Sequence, residues 1–431
     1  MKKSKIILSV LLFVGVISLT GCQYIPTILN DDDMVVYNSF TPPQSAVSSN
    51  PNAIVAGGVE AKVVEEAPNS LCFKNISYAT NESIANTYKT GGVNQNEFNV
   101  NNNEDYYGSK SKNNFDLYVP KEIAKDKKNT VILFIHGGAW VSGFKTDVNE
   151  YLFEFTNRGY ITATMKYTLL KKTMDDASLS IFRNLDEIDA CIKSIKATLE
   201  ELGFDTTQTN LVLGGASSGA HLAMLYGYSR GQRSALPIKF LIDAVGPTNI
   251  KPNAWKRFKS DSDAVLNAGI TKDAIQAQEA ASNLDSLYIA DDSSSPSKWN
   301  DYQTMRIANG MCGIPYSLDD VSAASSDKTN IDHPNAASEA MTKYGGGEDQ
   351  LSVTYYMNTV YKLPIICAYA GKDSVVGINQ FATLQESMDL FNIQYELFYF
   401  KNSNHMDISK EKDETTYNAF IKGINDWLKV L

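Results

Sequence analysis

The sequence predicts an α/β domain with a mostly parallel central sheet, helices on both faces and a cap insertion. Short apolar runs such as residues 130–135 (TVILFI) are typical of strands buried on both faces. Helical stretches separate these runs; in residues 181–199 the apolar side chains recur every three or four positions. Residues 250–350 interrupt the alternation, and we interpret them as the cap, because a structureless loop of that length is improbable.

The remaining elements follow in order along the chain. Residues 115–119 alternate between apolar and polar side chains and end at Pro120, as a strand does. Further strands are expected at residues 160–167, 211–213, 240–245, 364–369 and 395–400, with helices at residues 220–226 and 379–391. Strands that alternate with helices in this way favour a parallel sheet.

The N-terminus indicates export and lipid attachment. Three lysines precede the apolar run of residues 6–17, which is too short to span a bilayer and has the proportions of a signal peptide. Leu19-Thr20-Gly21-Cys22 then resembles a bacterial lipobox, although a plain secretory signal with a chance cysteine is the alternative. We therefore expect a signal peptide at residues 1–21 and a lipid on Cys22. A flexible tether at residues 22–66 would lead to a folded domain at 67–431, held at the outer face of a bacterial membrane.

The charge of the chain excludes several partners. There are 49 acidic and 39 basic residues, a formal net charge of -10, and no basic stripe with interleaved aromatic residues. Such a surface repels phosphate backbones, so nucleic acid is not expected to bind. The same charge disfavours broad adhesion to anionic lipid, and membrane attachment would depend on the N-terminal lipid.

The other cysteines do not suggest a disulfide framework or a metal site. Cys191 lies on an apolar helical stripe and Cys367 in an apolar strand, where a free thiol behaves as a small hydrophobic group. A bridge between Cys72 and Cys312 remains open for an exported protein. No metal-ligand spacing of Cys or His and no nucleotide-binding motif occurs, so no metal and no cofactor are expected.

The strongest chemical motif is GASSG at residues 215–219, directly after the strand at residues 211–213 and before a predicted helix. A serine at such a turn is exposed at a helix N-terminus, where the dipole and free amides favour a developing negative charge. A Gly/Ser-rich turn without reactivity is the alternative. The strand and helix on either side favour Ser217 as a nucleophile.

A second motif, HGGAW at residues 136–140, follows the buried strand at residues 130–135. Acyl transfer passes through an oxyanion that needs preorganised N–H donors, and a glycine pair lets the backbone turn its amides toward the substrate. We expect His136 to brace this loop and Trp140 to pack beneath the site.

The base and its partner are expected at the ends of later strands. Among the four histidines, His405 follows the last core strand, where open α/β sheets place their sites. His221 and His333 are expected to be structural or to lie in the insertion. Asp373 follows the strand at residues 364–369 and precedes His405 by 32 residues, whereas its rival Asp243 lies within a strand.

These motifs, in the order HGGAW, GASSG, GKD (residues 371–373) and His405, resemble the α/β-hydrolase superfamily. The resemblance covers residues 115–431 and is closest to carboxylesterases with an HGG-type oxyanion loop, including hormone-sensitive-lipase-like and acetyl- or feruloyl-esterase-like members. It implies that Ser217 attacks an ester, His405 shuttles the proton and Asp373 orients the imidazole.

In such an enzyme the oxyanion would be held by the amides of Gly137, Gly138, Ala139 and Ser218. Ala139 replaces the third glycine common in that loop, which leaves an amide and is expected to narrow the acyl pocket. The expected substrates are small-molecule or glycan esters with small or medium acyl groups. An amidase or peptidase on the same triad, and a non-catalytic binding protein with this fold, are the alternative hypotheses.

Overall fold

The computed structural model describes residues 53–78, 113–140, 143–167, 181–250, 351–373 and 375–430. Three predicted features therefore lie outside the described residues: the signal peptide with Cys22, most of the tether, and the cap. Cys312 and His333 also lie outside them. Within the described part of the chain, no helix is both long and apolar enough to cross a membrane.

The strands and helices have the following bounds. The strands are β1 (Val55–Ala56), β2 (Val59–Glu60), β3 (Lys62–Val64), β4 (Ala67–Ser77), β5 (Asn114–Pro120), β6 (Asn129–Ile135), β7 (Ile161–Met165), β8 (Thr209–Ala216), β9 (Ile238–Ala244), β10 (Ile365–Ala370) and β11 (Tyr395–Phe400). The helices are α1 (Asn149–Thr156), α2 (Ile181–Glu201), α3 (Ser218–Arg230), α4 (Val353–Tyr356), α5 (Asn379–Phe391) and α6 (Glu414–Val430).

Nine described strands form one sheet in the order β11-β10-β9-β8-β6-β7-β5-β4-β3. The six strands from β6 to β11 run parallel, while β5 pairs antiparallel with β7, β4 with β5, and β3 with β4. Strands β1 and β2 form a separate two-stranded sheet. A largely parallel sheet with antiparallel strands at one edge and helices on both faces is an α/β-hydrolase fold, and the fold prediction is confirmed.

The start of the folded part differs from the prediction. The sequence predicts a flexible tether up to residue 66, but residues 53–66 contain β1, β2 and β3, and β3 joins the main sheet beside β4. Short alternating strands with charged side chains carry little apolar signal, because their stability depends on backbone pairing with a neighbour. The tether can therefore extend at most to about residue 52.

The core lies on both faces of the sheet because successive side chains of a strand point in opposite directions. In β6, Val131, Leu133 and Ile135 pack with α2, α3 and α5 in one cluster. Ile132 and Phe134 face the other cluster, which contains residues of α1 and α6. Burial on both faces explains why the central strands are continuous apolar runs.

Candidate active site

The first component of the site is a sharp turn between β8 and α3, here called the elbow (residues 215–219). Ser217, its central residue, has φ 54° and ψ −123°, a conformation that costs roughly 1–3 kcal/mol in a non-glycine residue. Two backbone hydrogen bonds hold it there: the Ser217 N–H donates to the Ala244 carbonyl at 2.8 Å, and the His221 N–H donates to the Ser217 carbonyl at 3.1 Å.

The two glycines of the elbow are required by close backbone packing. A β-carbon on Gly215 would lie 2.3 Å from the carbonyl carbon of Gly219. One on Gly219 would lie 2.2 Å from the carbonyl oxygen of Ile135, at the end of β6. The absence of side chains at these positions therefore lets α3 start directly against β8 and β6, with the serine raised at the tip of the turn.

A continuous series of hydrogen bonds joins Ser217, His405 and Asp373. The His405 Nε2 atom lies 2.8 Å from the Ser217 hydroxyl oxygen, and Nδ1 lies 2.7 Å from Asp373 Oδ2. The Asp373 side chain is 1% exposed and that of His405 is 9% exposed. Because a carboxylate only accepts hydrogen bonds, Nδ1 carries the proton in the neutral ring, and Nε2 can accept the serine proton.

The two loops that carry His405 and Asp373 are tied to each other. Asp373 lies three residues beyond β10, and His405 lies five residues beyond β11, so both loops leave the same edge of the parallel sheet. The Gly371 N–H donates to the Phe400 carbonyl, and the Lys372 N–H donates to the Ser403 carbonyl, both at 2.9 Å. These bonds set the distance between the carboxylate and the imidazole.

Backbone amides hold the carboxylate in orientation. Asp373 Oδ1 accepts hydrogen bonds from the Val375 N–H at 2.7 Å and the Val376 N–H at 2.8 Å. Oδ2 is thereby directed at His405. Sequence reasoning did not identify these donors, although Asp followed by residues that form a turn is a known local pattern in which the side chain accepts from amides two or three residues later.

The loop after β6 lies against the elbow. A β-carbon on Gly137 would be 3.1 Å from the Ser217 β-carbon, which places the loop backbone beside the serine. Gly138, Ala139 and Trp140 follow with φ values of 115°, 52° and 62°. Ala139 thus adopts a left-handed conformation that is strained for a residue other than glycine. Such strain is expected where a loop must turn its amides toward a substrate.

His136 braces this loop rather than facing the serine. Its Nδ1 donates to the Gly137 carbonyl at 2.7 Å, and its ring stacks on Tyr167 with 4.3 Å between centroids. Burial lowers the pKa of His136 to about 4, so the ring is neutral at pH 7. The amide of Ser218, which the sequence also predicts to be an oxyanion donor, lies at the N-terminus of α3.

The other candidates have different partners. His221, buried on α3, donates through Nε2 to the Leu351 carbonyl at 2.7 Å and meets Trp140 edge-on at 5.3 Å. Burial lowers the pKa of His221 to about 4. Asp243 contacts Tyr369 and the Gly246 amide. His221 and Asp243 thus make hydrogen bonds that are separate from those joining Ser217, His405 and Asp373.

The three cysteines with described positions form no disulfide bond with one another. Cys72, Cys191 and Cys367 are buried free thiols, and Cys312 lies outside the described residues. Among the residues with described positions, no group of three or more His, Cys, Asp or Glu side chains is arranged to hold a metal ion.

Comparison with known proteins extends over only part of the chain. The family described as BD-FAE matches residues 115–297, less than half of the sequence. A probable isoprenylcysteine alpha-carbonyl methylesterase of Oryza sativa subsp. japonica is 29% identical over 117 residues, which are 27% of this chain and 26% of that protein. The non-reducing polyketide synthase adrD of Penicillium roqueforti is 26% identical over 150 residues, 33% of this chain and 6% of that protein.

The chain therefore spans about a quarter or less of the curated relatives it matches. Solved structures align over more of it. Esterase B from Lactobacillus rhamnosis is 13% identical, with coverage of 85% of this chain and 92% of that chain and a TM-score of 0.47. A truncated carbohydrate esterase from gut microbiota is 13% identical; the alignment covers 85% of this chain and 98% of that chain, with a TM-score of 0.48.

Proposed function

We propose that the protein is a serine hydrolase that cleaves carboxylic esters through an acyl-enzyme. The observation that carries the proposal is the series of hydrogen bonds from the Ser217 hydroxyl through the His405 ring to Asp373. A hydroxyl is a weak nucleophile until a neighbouring base removes its proton, and a base held by a third group is the arrangement that does so.

In the acylation step, His405 Nε2 takes the hydroxyl proton while the Ser217 oxygen attacks the ester carbonyl. The imidazolium that forms is stabilised by the Asp373 carboxylate at Nδ1. His405 then gives its proton to the leaving alkoxide as the C–O bond breaks. A water molecule, deprotonated by His405, then attacks the acyl carbonyl. The bond between that carbon and the Ser217 oxygen breaks, the carboxylic acid leaves, and His405 returns the proton to the serine oxygen.

The tetrahedral oxyanion would be held by the amides of Gly137, Gly138, Ala139 and Ser218. Support comes from the Gly137 backbone beside Ser217 and from the positive φ values that turn the following peptides. The Ser218 amide adds the positive end of the α3 dipole. One such donor typically contributes about 3 kcal/mol to transition-state stabilisation.

Esters with small or medium acyl groups, including acetyl or feruloyl groups on glycans, are the proposed substrates. The rice relative carries a methylesterase name, which agrees with ester chemistry, although it shares only part of its length with this chain. A panel of p-nitrophenyl esters of increasing acyl length, acetylated and feruloylated glycans, and matched anilides would measure acyl preference and the ratio of ester to amide hydrolysis.

A fluorophosphonate probe tests the nucleophile. The mature protein should be labelled on Ser217 and lose esterase activity in proportion to labelling, and Ser217→Ala should be neither labelled nor active. Ser229→Ala is the matched control, since it removes the same hydroxyl from the far end of α3. Labelling that persists in Ser217→Ala, or its absence in a folded wild-type protein, would contradict the proposal and favour a binding role.

We further propose that the enzyme is anchored to the cell envelope through lipid on Cys22. The basic start, the short apolar run and Leu19-Thr20-Gly21-Cys22 support this assignment. Stable anchoring requires more than one acyl chain, at about 0.8 kcal/mol per buried methylene, and a diacylglyceryl cysteine supplies two.

A further inference from the structure

The turn that follows β9 adopts a strained conformation beside the elbow. Val245 has φ 51°, a left-handed conformation that is an outlier for a β-branched residue. Its N–H donates to the Ala368 carbonyl at 2.8 Å. The next amide, that of Gly246, donates to Asp243 Oδ1 at 2.7 Å. The Asp243 side chain therefore closes the turn over the strained valine.

The Asp243 carboxyl group also contacts the Tyr369 hydroxyl, which has one proton and two neighbouring oxygen atoms. The Tyr369 oxygen lies 2.7 Å from Asp243 Oδ2 and 2.7 Å from the Gly246 carbonyl oxygen. A carbonyl oxygen can only accept, so the Tyr369 proton belongs to Gly246. The short contact to Oδ2 is then a hydrogen bond only if the carboxyl group donates it, which requires a proton on Asp243.

The surroundings favour this neutral form. Asp243 is fully buried, and burial raises its pKa to about 7. The titratable groups that face it are Tyr369 and Cys367 on β10 and Tyr228 on α3. Burial raises the pKa of each well above its ordinary value, so all three are uncharged. None of them can compensate a buried carboxylate.

The turn bears directly on the nucleophile. The carbonyl of Ala244, the residue after Asp243, accepts the N–H of Ser217 itself at 2.8 Å. A β-carbon on Gly246 would lie 2.7 Å from the Ala220 β-carbon, so the turn also packs against α3. Any shift of this turn would move the serine relative to His405.

We propose that Asp243 is a positioning residue that acts as a neutral acid: it donates to Tyr369, accepts from Gly246 and so fixes the turn that holds Ser217. This inference rests on the proposed function for its effect on turnover. The arrangement also links β9, which holds the elbow, to β10, which leads to Asp373.

Two substitutions distinguish a neutral donor from an ionised acceptor. Asp243→Asn reproduces the neutral acid, with Oδ1 accepting from Gly246 and the amide donating to Tyr369. Its kcat for p-nitrophenyl acetate should stay close to that of the wild type at mildly acidic pH. Asp243→Leu removes both bonds, and kcat should fall about 100-fold with little change in KM, as for a misplacement of about 1 Å. Equal damage by both substitutions would overturn the inference.

The pH profile provides a readout that a merely structural role would not change. As Asp243 ionises, the wild type should lose kcat, whereas Asp243→Asn should not, so the ratio of variant to wild-type kcat should rise with pH. Any pH effect that the two proteins share cancels in the ratio. A ratio that does not vary with pH would contradict the proposal.

Infrared spectroscopy tests the protonation without any substrate. The wild-type-minus-Asp243→Asn difference spectrum at mildly acidic pH should contain the carbonyl band of a protonated carboxyl group. Carboxylate bands in its place would overturn the inference whether or not the protein hydrolyses esters. If the carbonyl band is present in a folded protein that hydrolyses no ester, the proposed function fails and the neutral Asp243 stands.

Discussion

Replacement of Asp373 by asparagine tests the relation between hydrogen-bond geometry and proton transfer. The carboxylate accepts three N–H groups: those of Val375 and Val376 on Oδ1, and that of His405 on Oδ2. A carboxamide has one accepting oxygen, which the two backbone donors require at the Oδ1 position. The NH2 group must then face His405 Nδ1, so the imidazole carries its proton on Nε2 and points it at Ser217.

The expected loss can be estimated from this wrong tautomer. An imidazole protonated at Nε2 cannot accept the serine proton, and the corresponding change in serine proteases lowers kcat by about 10⁴. That factor corresponds to about 5 kcal/mol in the activation free energy. Because Asp373 is buried and bonds to the histidine and the backbone, KM and the fold should change little.

The assay is kcat and KM for p-nitrophenyl acetate over a range of pH, with far-UV circular dichroism as the folding check. Asp407→Asn is the matched control, since it makes the same change two residues from His405 in a side chain that bonds to Asn404. A loss of less than tenfold in Asp373→Asn, or an equal loss in Asp407→Asn, would refute the assignment of the orienting carboxylate.

Three further predictions concern stability and location. Gly219→Ala should lower the free energy of unfolding by roughly 3 kcal/mol or more, since its β-carbon would lie 2.2 Å from the Ile135 oxygen; chemical denaturation measures this, and an unchanged midpoint would contradict it. Burial lowers the pKa of His136 and His221 to about 4 in the folded protein, whereas an unfolded histidine has a pKa of about 6.5. Between these values the unfolded chain binds more protons, so the free energy of unfolding should fall by up to about 7 kcal/mol as pH drops from about 6.5 to 4. That decrease is best measured in Asp243→Asn, where the opposing titration of Asp243 is absent, and a flat profile there would refute the neutral histidines. Cys22→Ser should release active enzyme from the membrane fraction; fractionation and N-terminal mass spectrometry decide it, and wild-type protein found wholly in the medium would exclude the anchor.

Local sequence was sufficient for the parallel part of the sheet and for the motifs at its edge. Runs such as residues 130–135 are apolar throughout because both faces of the strand are covered. Such a run can be recognised in the sequence without knowing which strands and helices cover it. GASSG could be placed between a strand and a helix because both flanking segments are recognisable from their own residues. Helices α1 and α6 were not predicted: α1 is only eight residues long, and α6 follows the last strand, outside the alternation of strands and helices that indicated the others.

The sequence by itself determined the fold class, the elbow and a short set of candidates, because each of these depends on the order of side chains within about ten residues. Only the tertiary structure decided that residues 62–64 pair with β4, that β7 lies between β5 and β6, and that two backbone amides direct the Asp373 carboxylate at His405. These outcomes depend on hydrogen bonds between backbone and side-chain groups far apart along the chain. Strand register and burial set the partners of those groups, and neither is encoded in any single segment.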